Sequence, residues 1–384
     1  MEKVLVAMSG GVDSSVAAVL LLKQGYEVTG AYMINYDSGE GTDSLGESCW
    51  VPDYRDATRV AAKLGIQLLK LDFRKDYKEK VLDYMFTEYA EGRTPNPDVW
   101  CNKYIKFGAW LKKARELGFT KLATGHYARV EDNKLFQAKD KDKDQTYFLH
   151  QLNQKQLSQV IFPLGEYTKS EVRVLAKKYD LPTAEKEESM GICFVGEVPM
   201  KDFLQQKIKI KKGKVILSNG EIVGEHDGLA FYTIGQRGGL NCHPDLKRSK
   251  GGVSLKHNIR DSSLVIQNDN AKPLFVIDKN IKKNQLIVGY ENNPLLHKKE
   301  ITVVDVNWIR QKPVFPLKCE VRLRHRQPLQ KAVVVSSLRR RSTPTVRQRE
   351  VFIKFVQPQR APTPGQFAVL YKDEICLGGG IIID

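Results

Sequence analysis

The sequence has no G-x-x-x-x-G-K-[ST] run and no G-x-G-x-x-G run. It therefore lacks a Walker loop, whose lysine reaches the β and γ phosphates, and a dinucleotide-binding fingerprint. It also lacks any stretch near the roughly 20 apolar residues that a membrane-spanning helix needs. Cysteine is sparse, six residues at 49, 101, 193, 242, 319 and 376. No two form a C-x-x-C pair or a zinc-ligand spacing, which excludes the common metal ribbons and fingers. Acidic residues are outnumbered, 45 against 61 Lys and Arg. The first residues read as a strand, not as a basic, apolar, cleavable leader, so a cytoplasmic address with no membrane partner is expected. In that compartment a stable disulfide framework is not expected. No internal repeat is visible.

The excess of basic residues is the first positive signal. A formal charge of +16 on 384 residues suits a polyanionic partner, with nucleic acid the leading candidate. The alternative is a solvated surface that only keeps the chain soluble. The charge is concentrated: residues 310–349 hold twelve Lys or Arg and one acid, Glu320, and Lys207–Lys214 reads KIKIKKGK. A hydrophobic share of 41% and a charged share of 28% are those of a globular protein, and the length implies two or three domains.

The first half alternates apolar strands with amphipathic helices, the pattern of an α/β domain with a parallel sheet covered on both faces. Strands are expected at 3–8, 27–34, 67–71 and 121–124. Helices are expected from 16, at 53–64, 77–91 and 102–117, and at 168–179 with Thr168 or Ser170 as cap. Residues 36–53 read as a mobile loop, and KDKDKD at 139–144 as an exposed turn. From about 211 the texture becomes short β-rich runs. Three units are expected: a catalytic domain at 1–210, a small β-rich domain at 211–285 and a C-terminal β-barrel at 286–384. Residues 242–272 and 337–349 read as polar insertions.

Residues 3–25, KVLVAMSGGVDSSVAAVLLLKQGY, place a Ser-Gly turn between a buried strand and a helix. Small residues let backbone N–H groups approach an anion, and the helix N-terminus adds partial positive charge. The turn resembles the SGGxDS loop of the ATP pyrophosphatases, which adenylate an oxygen and so convert it into a good leaving group. Asp13, where a Walker loop carries lysine, suits Mg²⁺ held by pyrophosphate. Met8, Met33 and Thr124 lie at the carboxyl ends of strands, where open α/β sheets bind ligands.

RTPNPDVWCNKYIKF at 93–107 places a stiff, proline-punctuated loop before Cys101, presenting Asn96, Asp98 and Cys101 at set positions. Alone, Cys101 reads equally as a buried structural cysteine. SMGICFVG at 189–196 adds Cys193. Two cysteines beside an ATP-activating loop suggest sulfur chemistry, one thiol carrying a persulfide that the other attacks. Lys103 would favour the thiolate.

Taken in order, AMSGGVDSS (7–15), GRTPNPDVWCNKYIKF (92–107), ATGHYAR (123–129), KDQTYFL (143–149), GICFVGE (191–197), FYTIGQRGGL (231–240), PGQFAVLY (364–371) and CLGGGII (376–382) resemble the bacterial tRNA-specific 2-thiouridylases over the full length. The resemblance implies a PP-loop domain of the adenine nucleotide alpha hydrolase type, a small middle domain and a β-barrel that binds tRNA. It implies adenylation of the C2 oxygen of the wobble uridine and sulfur transfer from a cysteine persulfide, with AMP and pyrophosphate released. ATP with Mg²⁺ would sit on Ala7, Met8, Ser9, Gly10, Gly11, Val12, Asp13 and Ser14, with Met33 lining the adenine site and Gly125 touching the nucleotide. Asn96, Pro97 and Asp98 would meet the base, with Asp98 a general acid or base. Cys101 would be the nucleophile and Cys193 the persulfide carrier, the pair forming a transient disulfide. His126, Lys143, Asp144, Gln145, Arg324, His325 and Gln366 would touch tRNA. Arg322, Arg324 and Arg326 alternate, so a strand would turn all three to one side, toward phosphates. Implied partners are tRNAs of the Lys, Glu and Gln types and a sulfur donor, either a cysteine desulfurase or a relay protein.

Ser189-Met190-Gly191 departs from the family's usual acidic or Ser-Thr pair. Cys49, Cys242, Cys319 and Cys376 carry no expected role. Two rival readings are a synthetase that adenylates a small molecule and a non-catalytic RNA-binding protein on a vestigial nucleotide fold. The first leaves the two cysteines and the basic barrel idle, and the second leaves SGGVDSS intact without use.

Overall fold

The computed structural model describes residues 1–37, 48–187, 200–240, 272–336 and 350–384. Cys193, Cys242, the Ser189-Met190-Gly191 departure, most of the expected loop at 36–53 and nearly all of the two insertions lie outside the described residues.

The N-terminal half is a parallel sheet built from β1 (Lys3–Ala7), β2 (Glu27–Ile34), β3 (Leu68–Asp72), β4 (Lys121–Ala123), β5 (Arg129–Glu131), β6 (Lys134–Phe136) and β7 (Val160–Ile161), of which β5 and β6 leave to join another sheet. Its strand order is β3-β2-β1-β4-β7. Central β1 pairs in parallel with both β2 and β4, so their carboxyl ends lie side by side. Val4, Leu5 and Val6 are fully buried, as a strand covered on both faces requires. Helix α1 (Val12–Lys23) covers one face and buries Val16, Ala17, Ala18 and Leu21.

Helix α1 begins at Val12, inside the expected turn and ahead of the expected start at 16, and two later helical runs also differ from expectation. The first starts at Arg74 and passes through a π-helical turn at Lys78–Leu82 before Asp83–Ala90. The second starts at Pro97, inside the segment expected to be a loop, and continues as a π-helix over Cys101–Trp110 and an α-helix over Leu111–Glu116. Its proline is tolerated because it occupies the first helical position, where its missing N–H costs nothing. Asn96 caps the run, accepting from the Val99 N–H. The expected helix near 168 is present as Lys169–Lys178, and Thr168 caps it in a reciprocal box with Glu171.

The middle sheet holds β8 (Gly213–Leu217), β9 (Ile222–His226), β10 (Leu274–Asn280) and β11 (Gln285–Tyr290) in the order β10-β11-β8-β9. The C-terminal sheet holds β12 (His297–Trp308), β13 (Leu317–Arg322), β14 (Gln330–Ser336), β15 (Val351–Arg360), β16 (Phe367–Lys372) and β17 (Ile375–Ile382). It closes because β12 pairs with both β15 and β17, a six-stranded barrel without free edges in that ring. The β5–β6 hairpin of the N-terminal half then pairs with β17, Cys376 facing Leu135. One apolar cluster consequently spans both halves, running from Leu5 and Met33 through Tyr77, Trp110 and Tyr147 to Phe367 and Tyr371.

Candidate active site

At the end of β1 the loop Ser9-Gly10-Gly11 turns into α1. Ser14 Oγ donates to the Gly11 carbonyl at 3.0 Å and accepts from the Ser9 N–H at 3.2 Å. Ser15 Oγ donates to the same carbonyl at 2.9 Å and accepts from Thr183 at 3.0 Å. The serines thus hold the loop closed from within, a physical use for their small hydroxyl side chains. Gly10 has a positive φ of 76°, and a Cβ there would lie 2.2 Å from the Asp53 carbonyl oxygen. At Gly125, beyond β4, a Cβ would lie 2.9 Å from both Asp13 C and Ser14 N. The two strand-end loops touch, with room only for glycine between them. Met8 and Met33 are buried; Met8 packs beneath Gly30, where a Cβ would lie 2.5 Å from its sulfur.

Asp13 faces a group that the sequence did not announce. Lys169 Nζ, at the first position of its helix, donates to the two Asp13 carboxylate oxygens at 2.7 and 2.9 Å, and the Tyr127 hydroxyl donates at 2.9 Å. Tyr127 is in turn clamped by Gln145, whose Oε1 accepts the Tyr127 N–H and whose N–H donates to the Tyr127 carbonyl, both at 2.9 Å. The T-K-S-E capping box marked the helix start, but nothing local pointed its first lysine across the fold.

The thiol-bearing helix approaches the same strand ends. Asp98 is partly exposed in its first turn, and Cys101 is fully buried at the start of the π-helix. Lys103, expected to favour the thiolate, donates to Gln151 Oε1 at 3.0 Å and lies over the Trp100 and Tyr104 rings. Lys106 Nζ lies 3.5 Å from His126 Nε2, and His126 Nδ1 lies 2.6 Å from Thr124 Oγ1. Burial and the neighbouring Lys106 charge hold the His126 pKa well below its ordinary value, so its ring is neutral at physiological pH.

The family descriptions that match tile the chain: a tRNA methyl transferase HUP domain over residues 2–197, a tRNA methyl transferase PRC-barrel domain over 201–290 and an aminomethyltransferase β-barrel domain over 298–382. The tRNA-specific 2-thiouridylase MnmA of Halalkalibacterium halodurans is 43% identical over 386 residues, covering 99% of this chain and 94% of that protein. The same-named protein of Coxiella burnetii is 43% identical over 391 residues, covering 99% and 98%. That of Acinetobacter baumannii is 41% identical over 395 residues, covering 99% and 97%. The chain belongs to the tRNA-specific 2-thiouridylase family. Its HUP (PP-loop) domain, PRC-barrel domain and closed barrel are the architecture expected from the sequence.

Some of the residues expected to touch tRNA meet at the seam between the catalytic half and the barrel: Asp144 meets His325 and Asn96 meets Gln366. Asp144 is 1% exposed and accepts from Arg322 Nη1 at 2.9 Å and from Thr146 Oγ1 at 2.8 Å. KDKDKD is therefore exposed only in part: its last acid turns inward to neutralise a buried arginine. His325 Nε2 donates to the Asp144 carbonyl at 3.1 Å, its ring 4.6 Å from Phe148. Arg324 Nη2 donates to the carbonyls of Ile234 and Ala361 and to Thr363 Oγ1. Gln366 Nε2 donates to the Thr94 and Pro95 carbonyls, both at 3.1 Å, while its Oε1 lies 3.4 Å from Asn96 Nδ2 and from the Tyr147 hydroxyl. The Thr94–Asn96 segment is thereby pinned to the barrel. Lys143 remains partly exposed.

The reading of Arg322, Arg324 and Arg326 as three residues on one face of a strand is overturned. β13 ends at Arg322, which is buried on Asp144, and Arg326 sits in a turn with φ of 64°. Compensation of the buried carboxylate outweighs strand alternation. Cys319 and Cys376 are buried in the barrel, where desolvation raises both thiol pKa values, that of Cys319 to about 12. Both are inert thiols.

Proposed function

We propose that the protein is a tRNA-specific 2-thiouridylase, an ATP-dependent sulfurtransferase acting on the wobble uridine of tRNA. One observation carries the reading: a glycine-tight phosphate loop whose neighbouring strand end, through His126, meets the helix that bears Asp98 and Cys101. Full-length relatives named for this activity support it.

ATP is the co-substrate, held at Ala7, Met8, Ser9, Gly10, Gly11, Val12, Asp13 and Ser14 with Met33 and Gly125. Glycine at 10 and 125 lets the loop pack tightly on the backbone of Asp53 and of Asp13–Ser14, and the N-terminus of the helix beginning at Val12 suits a bound phosphate chain. Protein ligands for a resident ion are less evident: no cluster of three His, Cys, Asp or Glu suited to a metal occurs among the described residues. Asp13 is engaged by Lys169 and Tyr127. Mg²⁺ is assigned to the phosphates themselves, where it offsets their charge, and no step below depends on it.

The uridine O2 attacks the α phosphorus. The bond from that phosphorus to the bridging oxygen breaks, and pyrophosphate leaves with the electron pair. The N3 proton departs, with Asp98 as the acceptor, while Asn96 and Pro97 orient the base. The donor, a cysteine desulfurase or sulfur-relay protein, leaves Cys193 as a persulfide. Cys101 thiolate attacks the inner sulfur, forming a Cys101–Cys193 disulfide and releasing hydrosulfide. Hydrosulfide adds at C2 and AMP departs with the C2–O electron pair. A dithiol reductant restores both thiols. Direct attack of the persulfide on C2 is the variant route.

The tRNA surface includes His126, Lys143, Gln145, Arg324, His325 and Gln366, braced from beneath by the buried Asp144, with the barrel at 286–384 as the clamp, the middle domain at 211–285 and the catalytic domain at 1–210. Substrates are tRNAs of the Lys, Glu and Gln types in the cytoplasm. The test is mass spectrometry of tRNA nucleosides after incubation with ATP, a persulfide donor and dithiol. 2-Thiouridine is expected with wild type and absent with Cys193→Ala, which keeps its tRNA affinity. Product without ATP, or with both Cys101 and Cys193 replaced, overturns the reading.

A further inference from the structure

The phosphate loop lacks a cation of its own. Its charged side chain is Asp13, and the lysine that reaches it, Lys169, is held against that carboxylate at 2.7 and 2.9 Å. Transfer of a nucleotidyl group builds negative charge on the α-phosphate oxygens, so a donor aimed there lowers the barrier. Lys106 is the ammonium that the fold brings toward that place. It lies one π-turn after Cys101 on the same helix, and its Nζ meets the imidazole of His126, the residue after Gly125. The backbone at Gly125 in turn abuts Asp13 and Ser14, at the first turn of α1. The ammonium therefore stands between the thiol-bearing helix and the strand end that closes on the phosphate loop.

The surroundings fix its direction. His126 is flanked by the Phe107 and Phe162 rings, at centroid distances of 5.8 and 5.9 Å. With Nδ1–H donating to Thr124 Oγ1, the ring offers the Nε2 lone pair to Lys106. A neutral imidazole in this tautomer accepts from an ammonium without discharging it. Thr124, His126 and Lys106 make a chain that orients one positive group, and orientation in advance is what gives such a group its catalytic effect.

We propose that Lys106 is a further catalytic residue of this site, contacting the α phosphate of the nucleotide while uridine O2 bonds to phosphorus and pyrophosphate leaves. This rests on the reading under Proposed function. The lysine takes no proton and forms no bond. Its ammonium stabilises the oxygens that gain charge as the O2–phosphorus bond forms and the bond to pyrophosphate breaks. His126 is a positioning residue for it.

The test measures tRNA-dependent pyrophosphate release by full-length wild type, Lys106→Met, Lys106→Arg and His126→Gln, with ATP and tRNA affinities from equilibrium binding. Lys106→Met keeps the stem and removes the charge. Its release rate at saturating substrates falls by about 10²- to 10³-fold, the range for loss of one preorganised donor, while both affinities stay within about threefold of wild type, as expected for a transition-state contact. Lys106→Arg recovers at least tenfold of the loss, which a purely packing role would not give. Equal rates for Lys106→Met and wild type, or a loss explained by weakened ATP or tRNA binding with no rescue by arginine, overturn the inference. Should the methionine variant not fold, His126→Gln decides: a tenfold or greater fall in rate at saturating ATP and tRNA supports the proposal, and an unchanged rate at saturation refutes it. A wild type inert toward tRNA sinks the reading of function and this inference together. An active wild type with an equally active Lys106→Met sinks this inference alone.

Discussion

Arg322→Met should destabilise the protein by about 3 kcal/mol, at the lower end of the roughly 3–5 kcal/mol found when one partner of a buried ion pair is removed. Both side chains are nearly sealed from water, at 7% for Arg322 and 0% for Asp144, so solvent screening does little to reduce that figure. The lower end applies because Asp144 would not be left bare. Thr146 Oγ1 at 2.8 Å, the Ala138 N–H at 3.2 Å and Gln137 Nε2 at 3.3 Å continue to donate to it. Asp144→Asn combined with Arg322→Met removes both charges and keeps the volume, so it should cost less than the arginine change alone. A double-mutant cycle should therefore give a coupling of about 2 kcal/mol or more, as expected for residues in direct contact. The assay is equilibrium urea unfolding of the four proteins, with hydrogen exchange at 144–149 and 317–322 to confirm that the measured transition opens this seam. If Arg322→Met lies within 1 kcal/mol of wild type, or if the two changes add without coupling, the pair does not hold the barrel to the catalytic half.

Two other outcomes follow from the geometry. Gly125→Ala should weaken ATP binding at least tenfold with a modest loss of stability, because a Cβ at 2.9 Å meets backbone atoms of Asp13 and Ser14 that cannot swing aside; unchanged ATP affinity by titration calorimetry would refute the close approach. His150 is fully buried, its Nδ1 lies 2.7 Å from the Tyr147 carbonyl, and its pKa is pushed down to about 3, chiefly by desolvation. The unfolded chain binds that proton near pH 6.5, so stability is kept above pH 6.5 and falls as pH drops toward 3, by about 2 kcal/mol between pH 7 and 5. His150→Gln should flatten the pH dependence of urea unfolding by that amount, and an identical slope in the variant would count against a neutral buried ring.

The phosphate loop was legible because its signature is local. The hydroxyls at 14 and 15 answer to the Gly11 carbonyl within the same turn, although the glycines at 10 and 125 answer to backbone distant in sequence, at Asp53 and at Asp13–Ser14. The parallel strands and the Thr168 cap were legible for the same reason. The helix from Pro97 was misread although its signals were present: Asn96 as cap, proline at the first position and Asp98 in the first turn together mark a helix start. Two prolines in four residues were weighed as breakers, whereas the second one stands where proline begins a helix.

The seam was illegible for a different reason, which bears on how the site is built. Asp144 in KDKDKD has the local character of a solvated turn, and only Arg322, 178 positions later, makes its burial favourable. Lys169 likewise reaches Asp13 from 156 positions away. The first pair forms only once the barrel docks and the second only once the catalytic half has folded, so no window of sequence contains either. Gln366 completes the same logic: it sits on the barrel, yet its amide holds Thr94, Pro95 and Asn96, immediately before Asp98. The barrel thus does more than add basic surface. It fixes the segment that leads into the Cys101 helix, and with it Asn96 and Asp98, the groups we propose to meet the base, so on that proposal a change at the barrel seam should disturb the chemistry as well as RNA binding.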